Sequence, residues 1–316
     1  MRLKSYLLLL VIAFTAFAAD AIATEPVPSV PPIPADNTMT GAKVELGKML
    51  FFDPRLSSSG VISCASCHNP SFAFTDRVSR ALGHNHQVGP RNTPTVLNSA
   101  FLGSQFWDGR AATLEEQALG PIQASVEMNE TLENVVARLD SIPRYRALFE
   151  EVFGKKDPVT PANIARAMAA FERTLITLNS PFDRFLAGDV EAISPRAKRG
   201  WELFQQKGCI ACHNGPIFTN STFQKIQVPG STDLGRYTVT KKEEDKYRFR
   251  VQTLRNVALT YPYFNNGSVW SLRDAVKIMS REMLGSETED RDADDIVEFL
   301  KTLTGEMPEF AFPILP

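Results

Sequence analysis

Cys64-Ala65-Ser66-Cys67-His68 stands in the first half of the chain, and Cys209-Ile210-Ala211-Cys212-His213 repeats its pattern in the second. Two cysteines three positions apart on a helical turn reach the two vinyl groups of one haem, and the histidine that follows faces the iron. This is the attachment pattern of haem c. All 4 cysteines of the chain lie in the two copies. Other readings explain less. Disulfides between neighbours leave both histidines without a role. A thioredoxin-like pair expects a strand–helix context that is absent. A four-cysteine zinc site needs its pairs brought together, and about half the chain separates them. The motifs therefore predict two covalently bound haem c groups, one held by Cys64, Cys67 and His68, the other by Cys209, Cys212 and His213.

The 316 residues suit one large domain or two of ordinary size, and a hydrophobic content of 43% is enough to bury a core. A net charge of -2 gives no electrostatic reason to expect nucleic acid or an anionic membrane as partner. Residues 1–23 read as a secretory signal. Arg2 and Lys4 form its basic start, and Tyr6 to Phe17 is apolar but short for a membrane span. Ala21-Ile22-Ala23 fits a cleavage site, with Ala16-Phe17-Ala18 as second choice and an uncleaved anchor as the competing reading. Removal takes away Arg2, Lys4 and Asp20 and leaves a net charge of -3. Export agrees with the haem pattern, because haem c is attached outside the cytoplasm in bacteria. The expectation is a periplasmic protein, free of the membrane after cleavage.

Residues 24–38 are rich in proline and polar side chains and read as an extended arm. Gly41 to Phe51 has helical spacing. Residues 69–112 are punctuated by glycine and proline and predict mostly loop. Thr113-Leu114-Glu115-Glu116 has the form of a capping box, opening a short helix that Pro121 should end or bend. Residues 131–153 predict helix with a break at Pro143. Thr160 caps another helix, with Pro161 at its first position and Ile164, Ala167, Met168, Phe171 and Leu175 as its buried stripe. Asn179 to Ile193 reads as a linker, and Ser194-Pro195 starts the helix that carries Trp201 and Phe204 into the second motif. Lys241 to Lys246 reads as a solvated charged loop. Ser271 opens a helix with Leu272, Val276, Met279 and Met283 on one face. The expected fold class is all-α: two cytochrome c-like haem domains, 24–192 and 193–316, with long loops and little β structure.

The halves resemble each other beyond the haem motifs. Gly47 to Phe51 resembles Gly200 to Phe204, and Phe72-Ala73-Phe74-Thr75-Asp76 echoes Ile217-Phe218-Thr219-Asn220. Arg91-Asn92 matches Arg255-Asn256, and Gly109 to Leu114 matches Gly267 to Leu272. Laying Leu114 on Leu272 places Gln117 on Ala275 and Pro121 on Met279. A methionine sulfur can ligate haem iron opposite histidine and raises its potential, whereas proline has no ligating side chain. This register makes the second iron six-coordinate, suited to electron transfer, and leaves the first without a fixed ligand from its helix. A core methionine is the competing reading for Met279, and Met283, one turn on, is read as core.

With these residues assembled, the chain resembles the bacterial di-haem cytochrome c peroxidases and their MauG relatives over nearly all of its length. The stretches that carry the resemblance are Gly89-Pro90-Arg91-Asn92-Thr93-Pro94-Thr95, Phe106-Trp107-Asp108-Gly109-Arg110, Leu114-Glu115-Glu116-Gln117, Glu127-Met128, Leu254-Arg255-Asn256 and Tyr261-Pro262-Tyr263-Phe264. The resemblance implies reduction of hydrogen peroxide, with a small c-type cytochrome or a cupredoxin as electron donor, and leaves a homodimer open as the assembly. It makes His68 the proximal ligand of the peroxidatic haem and His213 that of the electron-transfer haem, with Met279 opposite. It makes Glu127 the catalytic acid-base, Gln117 its partner, Pro121 a pocket-lining residue and Trp107 the tryptophan between the haems. Asn92 becomes a side-chain ligand of an inter-haem calcium ion, beside the carbonyls of Thr260 and Pro262. His84 becomes the histidine that caps the peroxidatic iron until the other haem is reduced.

Read without the family, these residues have plainer roles. Glu127 would be a surface glutamate, Gln117 an exposed helical residue, Trp107 a core side chain and Asn92 a turn cap. His84 and His86 would be exposed loop histidines, and His86 stays open as the alternative cap. Asn265-Asn266-Gly267 departs from the His-Asp-Gly of many relatives. MauG-like oxidases carry tyrosine where Met279 stands, which argues against modification of a partner protein. A plain two-haem electron carrier would have no use for Gln117, Pro121 and Glu127 over an open iron.

Overall fold

Most helices begin where a side chain can accept the first unpaired backbone N–H groups. The computed structural model describes residues 25–316, so the expected secretory segment lies outside the described residues. Helix α1 (Gly41–Phe52) starts behind Thr40, whose hydroxyl accepts from the Lys43 N–H. The single turn α2 (Cys64–Cys67) is the first haem motif, opened by a Ser63–Ser66 capping box. Helix α3 (Leu114–Gln123) follows Thr113. Its Glu116 carboxylate accepts from the Ala112 N–H at 2.7 Å, one residue earlier than a capping box requires. Pro121 does not end α3, which continues to Gln123. Helices α4 (Leu132–Asp140) and α5 (Pro143–Phe153) are separated at Pro143 as expected, and α6 (Pro161–Glu172) is capped by Thr160.

The stretch from Asn179 to Ile193 is not a bare linker. It contains α7 (Pro181–Leu186), with a Ser180–Asp183 capping box and Phe182 fully buried in the second core. Helix α8 (Pro195–Gln206) follows Ser194. Strand β1 (Phe223–Lys225), helix α9 (Tyr237–Thr240) and strand β2 (Arg248–Arg250) come next, the strands pairing antiparallel with Phe223 opposite Arg250. Helix α10 (Leu272–Leu284) is capped by Ser271 and ends at Gly285, and α11 (Asp290–Lys301) closes the second core. The fold is mostly helical with one two-stranded sheet among the described residues, in line with the expected class.

Two helix pairs carry the two motifs. Helix α1 lies on α6 so closely that a Cβ on Gly47 would stand 1.8 Å from the Ala167 carbonyl oxygen. Helix α8 lies on α11 with the same intimacy: a Cβ on Gly200 would stand 1.9 Å from the Asp295 carbonyl oxygen. Only glycine permits either approach. Ile164, Ala167, Met168 and Phe171 of the expected stripe are buried against α1 and its neighbours, and Leu175, also buried, lies beyond the helix end at Glu172. The second core is aromatic, with Phe182, Phe204, Phe218 and Phe299 packed around Trp201.

The repeat survives in the backbone. Phe106 and Phe264 share a left-handed φ (67° and 70°), as do Gly109 and Gly267 (65° and 58°). Asn98 and Asn256 do the same (60° and 62°), each starting a short 3-10 turn. One offset of 158 residues separates every pair. It corrects the expected match of Arg91-Asn92 with Arg255-Asn256. The counterpart of Asn256 is Asn98, and both amides donate to Thr177 Oγ1. The same offset sets Leu114 on Leu272 as first residues of α3 and α10, so Pro121 and Met279 do correspond.

Candidate active site and haem cavities

Each motif lines its own cavity. The first is walled by Cys64, Cys67 and His68 together with Gln117, Pro121 and Glu127. His68 is held by an Nδ1 hydrogen bond to the Phe74 carbonyl at 3.2 Å. That bond fixes the tautomer and leaves Nε2 to ligate. Burial lowers the His68 pKa and keeps the ring neutral. Burial likewise holds the Cys64 thiol up and pushes that of Cys67 up to about 12. Glu127 is half-buried, and the same effect raises its carboxyl above the ordinary range, opposed by the charge of Arg110.

His84 does not line this cavity, but its backbone N–H donates to the Glu127 carbonyl at 2.7 Å and its Nδ1 meets Ser58 Oγ at 3.1 Å. The loop that carries it therefore rests against the acid-base candidate, with Gly83 on the cavity wall. A Cβ on Gly83 would stand 2.0 Å from the Val126 carbonyl oxygen. His86 is exposed.

The second cavity is walled by Cys209, Cys212 and His213, and by Ala275, Met279 and Met283 from α10. His213 Nδ1 is bonded to the Phe218 carbonyl at 3.2 Å, which matches His68, and burial depresses its pKa to about 4. Leu272, Val276, Met279 and Met283 are only half-buried because the cavity lies against them. Both methionines reach it, and the repeat register singles out Met279. Asn92, Thr260 and Pro262 are brought together on the wall of this cavity. Asn92 Nδ2 donates to the Val78 carbonyl at 3.0 Å, leaving Oδ1 as an acceptor. Asn265 is buried, its amide donating to Ser231 Oγ and Asp233 Oδ2.

Asn92, Trp107 and Arg250 line both cavities. Trp107 Nε1 donates to the Asn92 carbonyl at 2.9 Å. Two charged groups of the walls carry no local motif in the sequence. Glu172 closes the stripe of α6 in the first cavity, and burial pushes its pKa up to about 8. Arg250 is almost wholly buried with no carboxylate in ion-pair range among the described residues. Its position could have been found by adding the repeat offset to Asn92.

The donor set fits haem c at both motifs. Four unpaired thiols flank two neutral histidines with fixed tautomers, and a buried cation without a counter-ion suits a cofactor that bears carboxylates. A helical fold with two such sites defines a di-haem c-type protein. The family model for di-haem cytochrome c peroxidase matches residues 41–191. The cytochrome c551 peroxidase of Nitrosomonas europaea is 48% identical over 309 residues, covering 96% of this chain and 91% of its own. That of Pseudomonas aeruginosa is 45% identical over 324 residues, covering 98% and 94%. A crystal structure of a MauG-like protein associated with microbial copper homeostasis superposes with a TM-score of 0.80 at 29% identity, covering 92% of this chain and 96% of that one. The chain belongs to the di-haem cytochrome c peroxidase family.

Proposed function

We propose that the protein is a periplasmic di-haem cytochrome c peroxidase that reduces hydrogen peroxide to water with electrons from a small c-type cytochrome or a cupredoxin. Family membership supports an oxidoreductase acting on peroxide. The observation that carries the division of labour is the shared register of α3 and α10, which sets Pro121 in one cavity where Met279 stands in the other. No helix among the described residues is long and apolar enough to cross a membrane.

Haem bound at each motif would supply iron to take up peroxide at the first motif and to store an electron at the second. His68 and His213, whose Nδ1 atoms are tied to backbone carbonyls, would each hold a haem iron, and Met279 would be a second ligand at the His213 site. His84, whose loop rests on Glu127, would cap the first haem in the resting enzyme and be released on reduction of the second. Glu127 takes the proton from one peroxide oxygen and delivers it to the other, so that this oxygen departs as water. Two further protons and two electrons complete two waters. Burial raises the pKa of the Glu127 carboxyl against the charge of Arg110, which favours a group that must hold a proton before passing it on. Gln117, which lines the same cavity, orients the peroxide. Trp107 carries electronic contact across the partition. Asn92 Oδ1 and the carbonyls of Thr260 and Pro262, completed by waters, provide an oxygen site suited to calcium.

A spectroscopic redox titration, with peroxide added at the half-reduced stage, tests this reading. The expected result is two covalently bound haems, one with His/Met ligation at all stages, and rapid peroxide consumption by the half-reduced form. A single haem, or two irons saturated at every stage, overturns it.

A further inference from the structure

The partition between the cavities is built from two crossed segments that exchange the same hydrogen bond. The Asn92 N–H donates to the Asn265 carbonyl at 2.7 Å, and the Arg250 N–H donates to the Trp107 carbonyl at 2.8 Å. The 158-residue offset carries Asn92 onto Arg250 and Trp107 onto Asn265. The crossing therefore has two-fold character in its backbone, while its side chains differ. Asn92 presents a neutral amide where Arg250 presents a cation.

Arg250 is held from three directions. Its Nε donates to the Phe106 carbonyl at 3.3 Å, one terminal nitrogen to the Val251 carbonyl at 3.4 Å, and the other to Gln252 Oε1 at 3.1 Å. These are neutral acceptors, and they use three of the five donors of a guanidinium. Burial without a counter-ion is costly for such a group, and it lowers the Arg250 pKa to about 10. Every other fully or nearly fully buried arginine here faces a carboxylate: Arg173 faces Glu115 and Arg255 faces Asp183. Two guanidinium donors are left over, and Arg250 lines both cavities.

We infer that Arg250 is a shared counter-ion for the propionate carboxylates of both haems, and so a positioning residue whose single charge sets both potentials. The inference rests on both cavities holding haem c as read above. A cation beside each haem favours its reduced form by lessening the negative charge around the iron. It also keeps the propionates ionised across the working pH range.

Spectropotentiometric titration of the intact holoprotein tests it, with wild type compared with R250K, R250Q and R250M at several pH values. Haem content measured on the same samples separates a failure of the two-haem reading from a failure of this one. With two haems retained, both potentials should fall in R250Q and R250M, and both should gain a pH slope as the propionates begin to titrate. R250K should stay close to wild type in potential and in slope. A shift at one haem only, potentials unchanged in R250Q, or R250K behaving like R250Q overturns the proposal. The last outcome would make Arg250 a clamp on the Phe106–Trp107 backbone.

Discussion

Helices α3 and α10 start alike and serve unlike sites. Each follows a hydroxyl cap, Thr113 or Ser271, and each begins with a leucine at the same repeat position. Two turns in, one offers Pro121 to its cavity and the other Met279. Below them the arrangement hardly differs: a half-buried neutral histidine bonded through Nδ1 to a phenylalanine carbonyl in both halves. Duplication has kept what holds a haem and varied what stands opposite it. On the proposed assignment, the Met279 sulfur would protect an electron store, and Pro121 in its place would leave a reactive face. The carboxyl proposed to act there, Glu127, has no acidic counterpart in the repeat, where Gly285 stands at the same offset.

The largest effect that would sharpen the contrast comes from Glu127. Glu127→Gln should lower steady-state peroxide turnover by about 10²–10⁴-fold, the usual contribution of a positioned acid-base, with both haem spectra retained. Since burial raises this carboxyl, the acid limb of the wild-type rate profile should lie above the ordinary carboxylate range, and it should vanish in the variant. The sign for stability is opposite. A carboxyl with a raised folded pKa loses stability as pH climbs from its unfolded to its folded value. Glu127→Gln should therefore melt no lower than wild type at neutral pH.

The next test asks whether the halves are equivalent as scaffolds. Gly47→Ala and Gly200→Ala each push a methyl group into a backbone carbonyl of the facing helix. Each should cost about 3 kcal/mol, the upper end of overpacking penalties, read as a shift of the denaturation midpoint. A large loss in one half only would show that the two helix pairs are not equivalent. Smaller again is Pro121→Met, which brings the α10 pattern into α3. An internal sulfur ligand would leave the first iron open only part of the time. Turnover should drop by roughly tenfold or more in proportion to that occupancy, and a second His/Met signature should appear.

Much of this contrast was legible in the sequence, because its determinants are local. A cap, a helical period and a haem motif each occupy a few residues, so the Pro121–Met279 register follows from spacing alone. Asn98 and Asn256 were hidden because a left-handed asparagine is defined by its φ, and the Arg-Asn pair at 91–92 is the more conspicuous match to 255–256. Residues 179–193 read as linker because their proline and flanking polar residues also spell a turn, although Ser180 and Asp183 form a capping box at the start of α7. Arg250 gave no local sign at all. Its burial comes from pairing with β1 and from Phe106 and Trp107, far away in the chain. The charge of the partition is a product of tertiary structure.

The smallest expected effect concerns the caps. Thr113→Ala and Ser271→Ala each remove one acceptor for an unpaired helix N–H, usually worth about 1 kcal/mol. The two sites have different support. At α3 the Glu116 carboxylate still accepts from the Ala112 N–H and fixes the entry of the chain. At α10 the cap bond is to the Asp274 N–H at 3.3 Å, longer than the 3.1 Å bond of Thr113. Both substitutions should shift the denaturation midpoint modestly. Their readouts at the haems should diverge, because only α10 carries a residue proposed to bind iron. Fraying of its first turn should weaken the Met279 signature in Ser271→Ala. Thr113→Ala should leave the spectrum of the second haem untouched. An equal spectral change in both variants would mean that the two helices share a more global response, and that the assignment of the sulfur to α10 alone needs another basis.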